Sequence, residues 1–276
     1  MPTSLRCALL ASLLLLPACR HAMPADAAKA AREPSAADRV ARSDESSRVL
    51  VEALARFMPE SFSELGFPGL DDAVYDLRPA ASERLRAAVR AAADELRARR
   101  GSERDPFVAQ DLDILLGAAE QVLRQSELDE RYCLPYPKVH LRIFNGLSPL
   151  RSAEAPAEVK AAALRRLRRY AGLEPGFEPL PALAIARIRE RLDAPDLLFP
   201  LRREVEKDLE DAAPLRKGIE QLVALSGSEQ DKAALEALLR QLEELEAFLR
   251  TKVLPRARED QRFPRDLYAY LLVVHG

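Results

Sequence analysis

The sequence predicts an all-α protein, an antiparallel multi-helix domain that follows a signal peptide and a disordered tether. Three observations carry this. Apolar residues recur at steps of three and four from about residue 46 onward, the period of a helix with one buried face. No segment alternates convincingly between apolar and polar residues, and β-branched residues are sparse, so half-buried strands are not indicated. Helix starts and stops, Ser or Asp before and Pro or Gly at the edges, fall where the periodic segments begin and end. The 276 residues allow one large domain or two small ones, enough to bury roughly 70–75% of the unfolded surface without disulfides or metal. With 42 basic against 44 acidic residues the net charge is −2, which excludes the strongly basic profile of a nucleic-acid binder.

The chain opens with Arg6, an apolar run from Cys7 to Leu16 and the small-residue exit Pro17-Ala18-Cys19. That run falls short of the ~18–20 residues a spanning helix needs and reads as an export signal. Leu16-Pro17-Ala18-Cys19 resembles the bacterial lipobox, although Pro17 stands where a small or hydroxyl residue is usual. Residues 1–18 are therefore expected to be a lipoprotein-type signal peptide and Cys19 its lipidation site, with ordinary cleavage nearby as the alternative. The partner this implies is a membrane, reached through the N-terminal lipid, and the location is the cell envelope on its periplasmic face. Residues 19–45 have few large apolar side chains and read as a disordered tether. Residues 46–276 are the expected helical domain.

Within it, Val49, Leu50, Ala53, Leu54 and Phe57 form a stripe ended by Pro59, and residues 60–79 read as a long connection. Leu85, Val89, Ala92 and Leu96 predict a helix closing at Arg100-Gly101. Asp105-Pro106 opens the next, whose buried face is Val108, Leu112, Leu115, Leu116, Ala119, Val122 and Leu123. These two helices should pack antiparallel. The stretch Tyr132 to Pro137 interrupts the pattern, which resumes over Val139 to Leu147. Pro156 opens a helix through Val159, Ala163, Leu164, Leu167 and Tyr170 that Gly172 closes, and further helices are expected after Pro181, Pro195 and Pro214. Ser228 caps a helix carrying Leu235, Leu238, Leu242, Leu245 and Leu249, with Glu246 and Arg250 as a surface i,i+4 pair and Pro255 as its end. Leu271 to Val274 is expected on a last helix after Pro264.

Catalytic chemistry is hard to find. A hydrolytic zinc site needs three protein ligands and an open position, often two histidines one turn apart. His21, His140 and His275 are each isolated, so no catalytic, cofactor-binding or metal-ligating residue is assigned. The ten glycines are too scattered for a phosphate-cradling loop or a nucleophile elbow. Cys133, the one thiol expected in the mature chain, reads as buried filler because no base accompanies it. Arg165-Arg166 and Arg168-Arg169 read as the solvated face of their helix, with anion binding the alternative. Asp71-Asp72, Asp111/Asp113 and Glu243-Glu244 read as caps and solvated charges.

Four stretches, in order, resemble one family. They are Pro59 to Gly66 with Asp71-Asp72, then Asp111 to Leu115 with Glu127-Leu128, Leu134-Pro135-Tyr136 and Asn145-Gly146-Leu147, then Leu167 to Gly176, then Val253 to Arg258 with Phe263-Pro264 and Leu267 to Ala269. Together they resemble the N-terminal half of the bacterial family called domain of unknown function 885, over most of residues 46–270. The resemblance implies a predominantly helical, often exported protein similar to zinc metallopeptidases, whose metal is held by a His-Glu and Pro-Gly-His segment in a C-terminal half. No such segment stands in this sequence, and the likeness fades after Tyr270. The expectation is thus a truncated or split member, not catalytic alone, with zinc only in a missing C-terminal half that a separate gene could supply. The alternative is a lipid-anchored helical binding or scaffold protein of the envelope.

Overall fold

A computed structural model describes residues 35–224 and 228–275. The expected signal peptide, Cys19 and most of the tether lie outside the described residues. Ten α-helices and no strand are present among the described residues, so the protein is all-α.

The first three long helices form one bundle. Helix α1 runs Ala36–Ala55, α3 Ala81–Ser102 and α4 Pro106–Tyr132. Ion pairs between α3 and α4 give their direction. Arg100 meets Asp113 at 2.8 Å and Arg90 meets Glu127 at 3.3 Å, so numbers fall along one helix as they rise along the other. Arg99 approaches Glu45 in the same opposed sense, whereas Arg39 to Asp105 and Ser43 to Asp111 rise together. Helix α3 therefore runs antiparallel to both neighbours. Their facing stripes, Leu50 and Ala53, Val89, Ala93 and Leu96, and Val108, Leu112 and Ala119, close a core of their own. Asp105 caps α4 as expected, accepting from the amides of Phe107 and Val108. At the same end of the pair α3 closes at Ser102, one residue past the expected Arg100-Gly101 and with Arg100 in its last turn, but Gly101 is an ordinary helical residue and not the cap, and Glu103 is extended.

The tether boundary needs correction. Residues 36–45, expected to be disordered, belong to α1, which starts with a capping box between Ser35 and Asp38. Counting apolar residues missed it because its first turns are held by charge: Arg39 and Arg42 reach Asp105 and Glu103 at the α3–α4 junction.

A second, larger core is built from residues between Leu77 and Ala257 and unites the five helices from Val139 to Phe248. The connection 60–79 contains a short helix, α2 (Pro59–Glu64), before it extends. Helix α5 (Val139–Gly146) follows the Tyr132–Pro137 interruption, and α6 spans Ala157–Tyr170. Helix α6 ends in a Schellman turn: Leu173 N–H donates to the Arg168 carbonyl at 2.9 Å and Gly172 N–H to that of Arg169 at 3.0 Å. Gly172 is left-handed there, φ 72°, and a Cβ would collide with Pro179.

After α7 (Leu180–Arg191) the chain again departs from expectation. Pro195 does not itself open a helix, since the next one starts only at Arg202; Pro195 and Asp196 form a turn with Asp196 left-handed at φ 62°, and beyond it Leu198 exchanges backbone hydrogen bonds with Tyr132 and Leu134. Pro200 biases Phe199 against helix, which favours this path. Nor does Pro214 begin a helix. It sits within α8 (Arg202–Ala224), whose buried residues Val205, Ala212, Ile219 and Val223 flank it on both sides. Burial along the whole face outweighs the one backbone bond that proline removes. Helix α9 (Glu229–Phe248) starts at the predicted Ser228 box and passes into a π-turn, Leu249–Val253, before Pro255. Helix α10 (Arg265–His275) completes the described chain.

Candidate functional site

The four arginines of α6 are not a solvated face. Arg166 is 2% exposed and hydrogen-bonds three carbonyls, those of Ala73 at 2.9 Å, Gly146 at 3.0 Å and Leu70 at 2.5 Å. Arg165 and Arg169 both hold Asp72, at 3.0 and 2.8 Å, while Arg168 binds Glu174 and Asp231. Burial opposes the charge on Asp72, but the two guanidiniums outweigh it and keep its carboxyl below the usual range. Beside this clamp, buried Glu60 accepts from the Tyr170 hydroxyl at 2.8 Å and from the Tyr75 amide at 2.9 Å. Arg142 lies 3.7 Å from the same carboxylate and stacks on the Tyr75 ring. The anion-binding alternative for the arginines is not favoured, because carbonyls and carboxylates of the chain itself already occupy them. The clue was in the spacing: Ala163, Arg166, Leu167 and Tyr170 fall at i, i+3, i+4 and i+7, so Arg166 lies on the apolar stripe.

A second polar centre is built around His140. This residue, 7% exposed, places Nε2 3.1 Å from Oε1 of Glu246, which α9 buries at 4% exposure. Arg216 on α8 lies 3.2 Å from the same oxygen and Arg250 3.7 Å from the other. Glu246 is thus no surface partner of Arg250 alone. It follows Leu242 by four residues and shares the buried stripe of α9, a signal that pairing it with Arg250 passed over. Burial above all, with Arg216 adding to it and Glu246 opposing, pushes the His140 pKa down. The neutral ring donates from Nε2 to the carboxylate, which leaves Nδ1 as an acceptor.

His140 lines a cleft of about 190 Å³ between α5, α8 and the end of α9, walled by Pro214, Leu215, Leu245 and Leu249. At its polar end Lys138 bridges Glu204 at 2.9 Å and Asp208 at 3.6 Å. Tyr136 lies beside Asp208 without reaching good hydrogen-bond geometry; burial first, then that carboxylate, push its phenol up. Burial likewise raises Asp208.

The other residues singled out earlier do not converge. Asp71 accepts from Ser63, Asp111 from Ser43, Asp113 from Arg100 and Glu243 from Arg216. Cys133 is partly buried, and desolvation together with Asp129 pushes its thiol up to about 11. His21 and Cys19 lie outside the described residues, and His275 is the last residue of α10. The zinc implied by the resemblance finds no fit here: among the described residues no three His, Cys, Asp or Glu side chains gather closely enough to hold an ion.

The first three of the stretches that carried the resemblance meet in space, Gly146 lying against the Tyr170 hydroxyl. The first meets the third through Glu60 and Tyr170, Gly146 of the second receives Arg166, and Arg258 of the fourth pairs by backbone with residues 200–202. A family model described as bacterial protein of unknown function (DUF885) matches residues 59–276. The chain belongs to this family. The match extends past Tyr270, where the likeness was expected to fade, and covers all of α10. No curated protein and no solved structure is significantly similar to this DUF885 chain.

Proposed function

We propose that this chain supplies the helical, non-metal-binding half of a zinc-metallopeptidase-like lipoprotein of the cell envelope and does not hydrolyse peptides by itself. In this reading Cys19 carries the lipid, the domain stands on the periplasmic face of a membrane, and zinc belongs to a C-terminal half held in further sequence or in a separate chain. What supports it is how the chemically able side chains are used. His140 is closed on Glu246, the arginines of α6 grip the chain's own carbonyls, and the Cys133 thiol is held protonated. The exposed apolar side chains of α10, Tyr268 at 53%, Leu272 at 52% and Val273 at 80%, offer a surface that such a half would cover.

The test is peptide hydrolysis by the purified full chain, with and without zinc. No zinc-dependent, chelator-sensitive cleavage is expected from the chain alone; its appearance would overturn the reading. A second reading, a lipid-anchored binding or scaffold protein, is favoured by the cleft beside His140, which has apolar walls and a polar end and is lined by no serine, threonine or cysteine.

A further inference from the structure

We propose that the cleft beside His140 binds a small amine whose apolar body is about the size of a leucine or phenyl side chain. This deepens the binding reading above and rests on it, while making no use of zinc or of a second half.

Size sets the first limit. The cleft holds about 190 Å³. An engineered apolar cavity of about 150 Å³ accepts benzene, so one compact side chain fits and a longer peptide does not. The walls set the second: Pro214, Leu215, Leu245 and Leu249 present hydrocarbon, which rewards an apolar body. Two breaks in helical hydrogen bonding border the same space. Pro214 interrupts α8, and Leu249 begins the π-turn after α9. A mid-helix proline thus faces the π-turned end of α9 across the cleft.

The polar end sets the chemistry. His140 offers Nδ1 as an acceptor because Nε2 is committed to Glu246. Tyr136 has a buried hydroxyl without a partner, and Asp208 stands beside it. Of the charged side chains that line the cleft, the carboxylates Asp208 and Asp211 outnumber the one ammonium, Lys138. The acceptors and the surplus charge both ask for a cationic donor. Burial disfavours the charge on Asp208 by more than Lys138 at 3.6 Å offsets, and a second ammonium beside it would relieve that cost.

The experiment is a calorimetric titration of the full chain in detergent with L-leucinamide. Three controls accompany it: 4-methylpentanamide without the amine, 4-methylpentanoate with the charge reversed, and glycinamide without the apolar body. Leucinamide should saturate with a Kd on the order of a millimolar, the range open to so small a ligand. Each control should bind at least about tenfold weaker, a difference of roughly 1.4 kcal/mol. Asp208→Asn should weaken leucinamide about tenfold by the same measure, and Leu215→Trp should fill the cleft and abolish binding. Asp208 is half-buried at the rim, so Asp208→Asn decides the matter even where Leu215→Trp fails to fold. Absence of saturation, equal binding of the carboxylate, or unchanged affinity in Asp208→Asn would each overturn the proposal. The peptidase assay can fail without touching this result, and the reverse is also true.

Discussion

Tyr170 on α6 donates its hydroxyl to Glu60 on α2 at 2.8 Å, across 110 positions of sequence. Both side chains are buried, Tyr170 completely. The bond ties the first family stretch to the third and passes over Gly146, whose missing side chain makes room: a Cβ there would strike the Tyr170 hydroxyl. Tyr170→Phe should destabilise the chain by about 1–3 kcal/mol, the cost of leaving a buried acceptor short of a donor. Gly146→Ala should cost about 1–3 kcal/mol by overpacking. The two changes share one point of contact, so urea melts of the double variant should show less than the sum of the single effects.

Arg166 and Arg165 are neighbours in sequence with opposite standing. Arg166→Ala orphans three carbonyls at once, that of Gly146 buried and those of Ala73 and Leu70 partly so, and should cost about 3 kcal/mol or more. Arg165→Ala removes one half-exposed ion pair with Asp72 and should cost less than about 1 kcal/mol. Equal effects in chemical denaturation would restore the reading of both as surface charges.

His140 makes stability depend on pH. Burial holds its folded pKa below the unfolded value, so the unfolded chain takes up the proton first as pH falls. Stability from this group is complete above about pH 6.5 and declines as pH drops through that value toward the lower folded pKa. Thermal melts between pH 7.5 and 5 should show a steeper loss for the native chain than for His140→Gln. Parallel curves would mean that the imidazole titrates freely.

Cys133 should resist alkylation. With its thiol pushed up to about 11, the thiolate fraction at neutral pH falls about two orders of magnitude below that of a free cysteine near 8.5. Iodoacetamide labelling followed by peptide mass spectrometry should find Cys133 slow in the native chain and fast in urea. Rapid native labelling would show that burial and Asp129 do not outweigh Arg258, the cation that acts on the thiol in the opposite sense.

Helix periodicity and capping carried much of the fold. The Asp105-Pro106 start, the Ser228 box and the Gly172 stop each act through a few neighbouring atoms, so sequence displays them directly. The readings that failed share a cause. Residues 36–45 and Pro214 lie in helices that distant partners hold, and the segment after Pro195 is drawn out by backbone bonds to residues 132 and 134. Local preference is weak enough for such contacts to override it.

The candidate site was less visible. His140 could be seen to lack a local motif, but its partner Glu246 lies 106 positions away, and nothing near either residue announces the other. Sequence by itself determined the helical class, the family and most helix ends, because these follow from periods and caps a few residues long. Only the tertiary structure decided which charges are surface and which are core. Whether Arg166 or Glu246 is solvated depends on what packs over it, and in this chain that cover comes from the far side of the sequence.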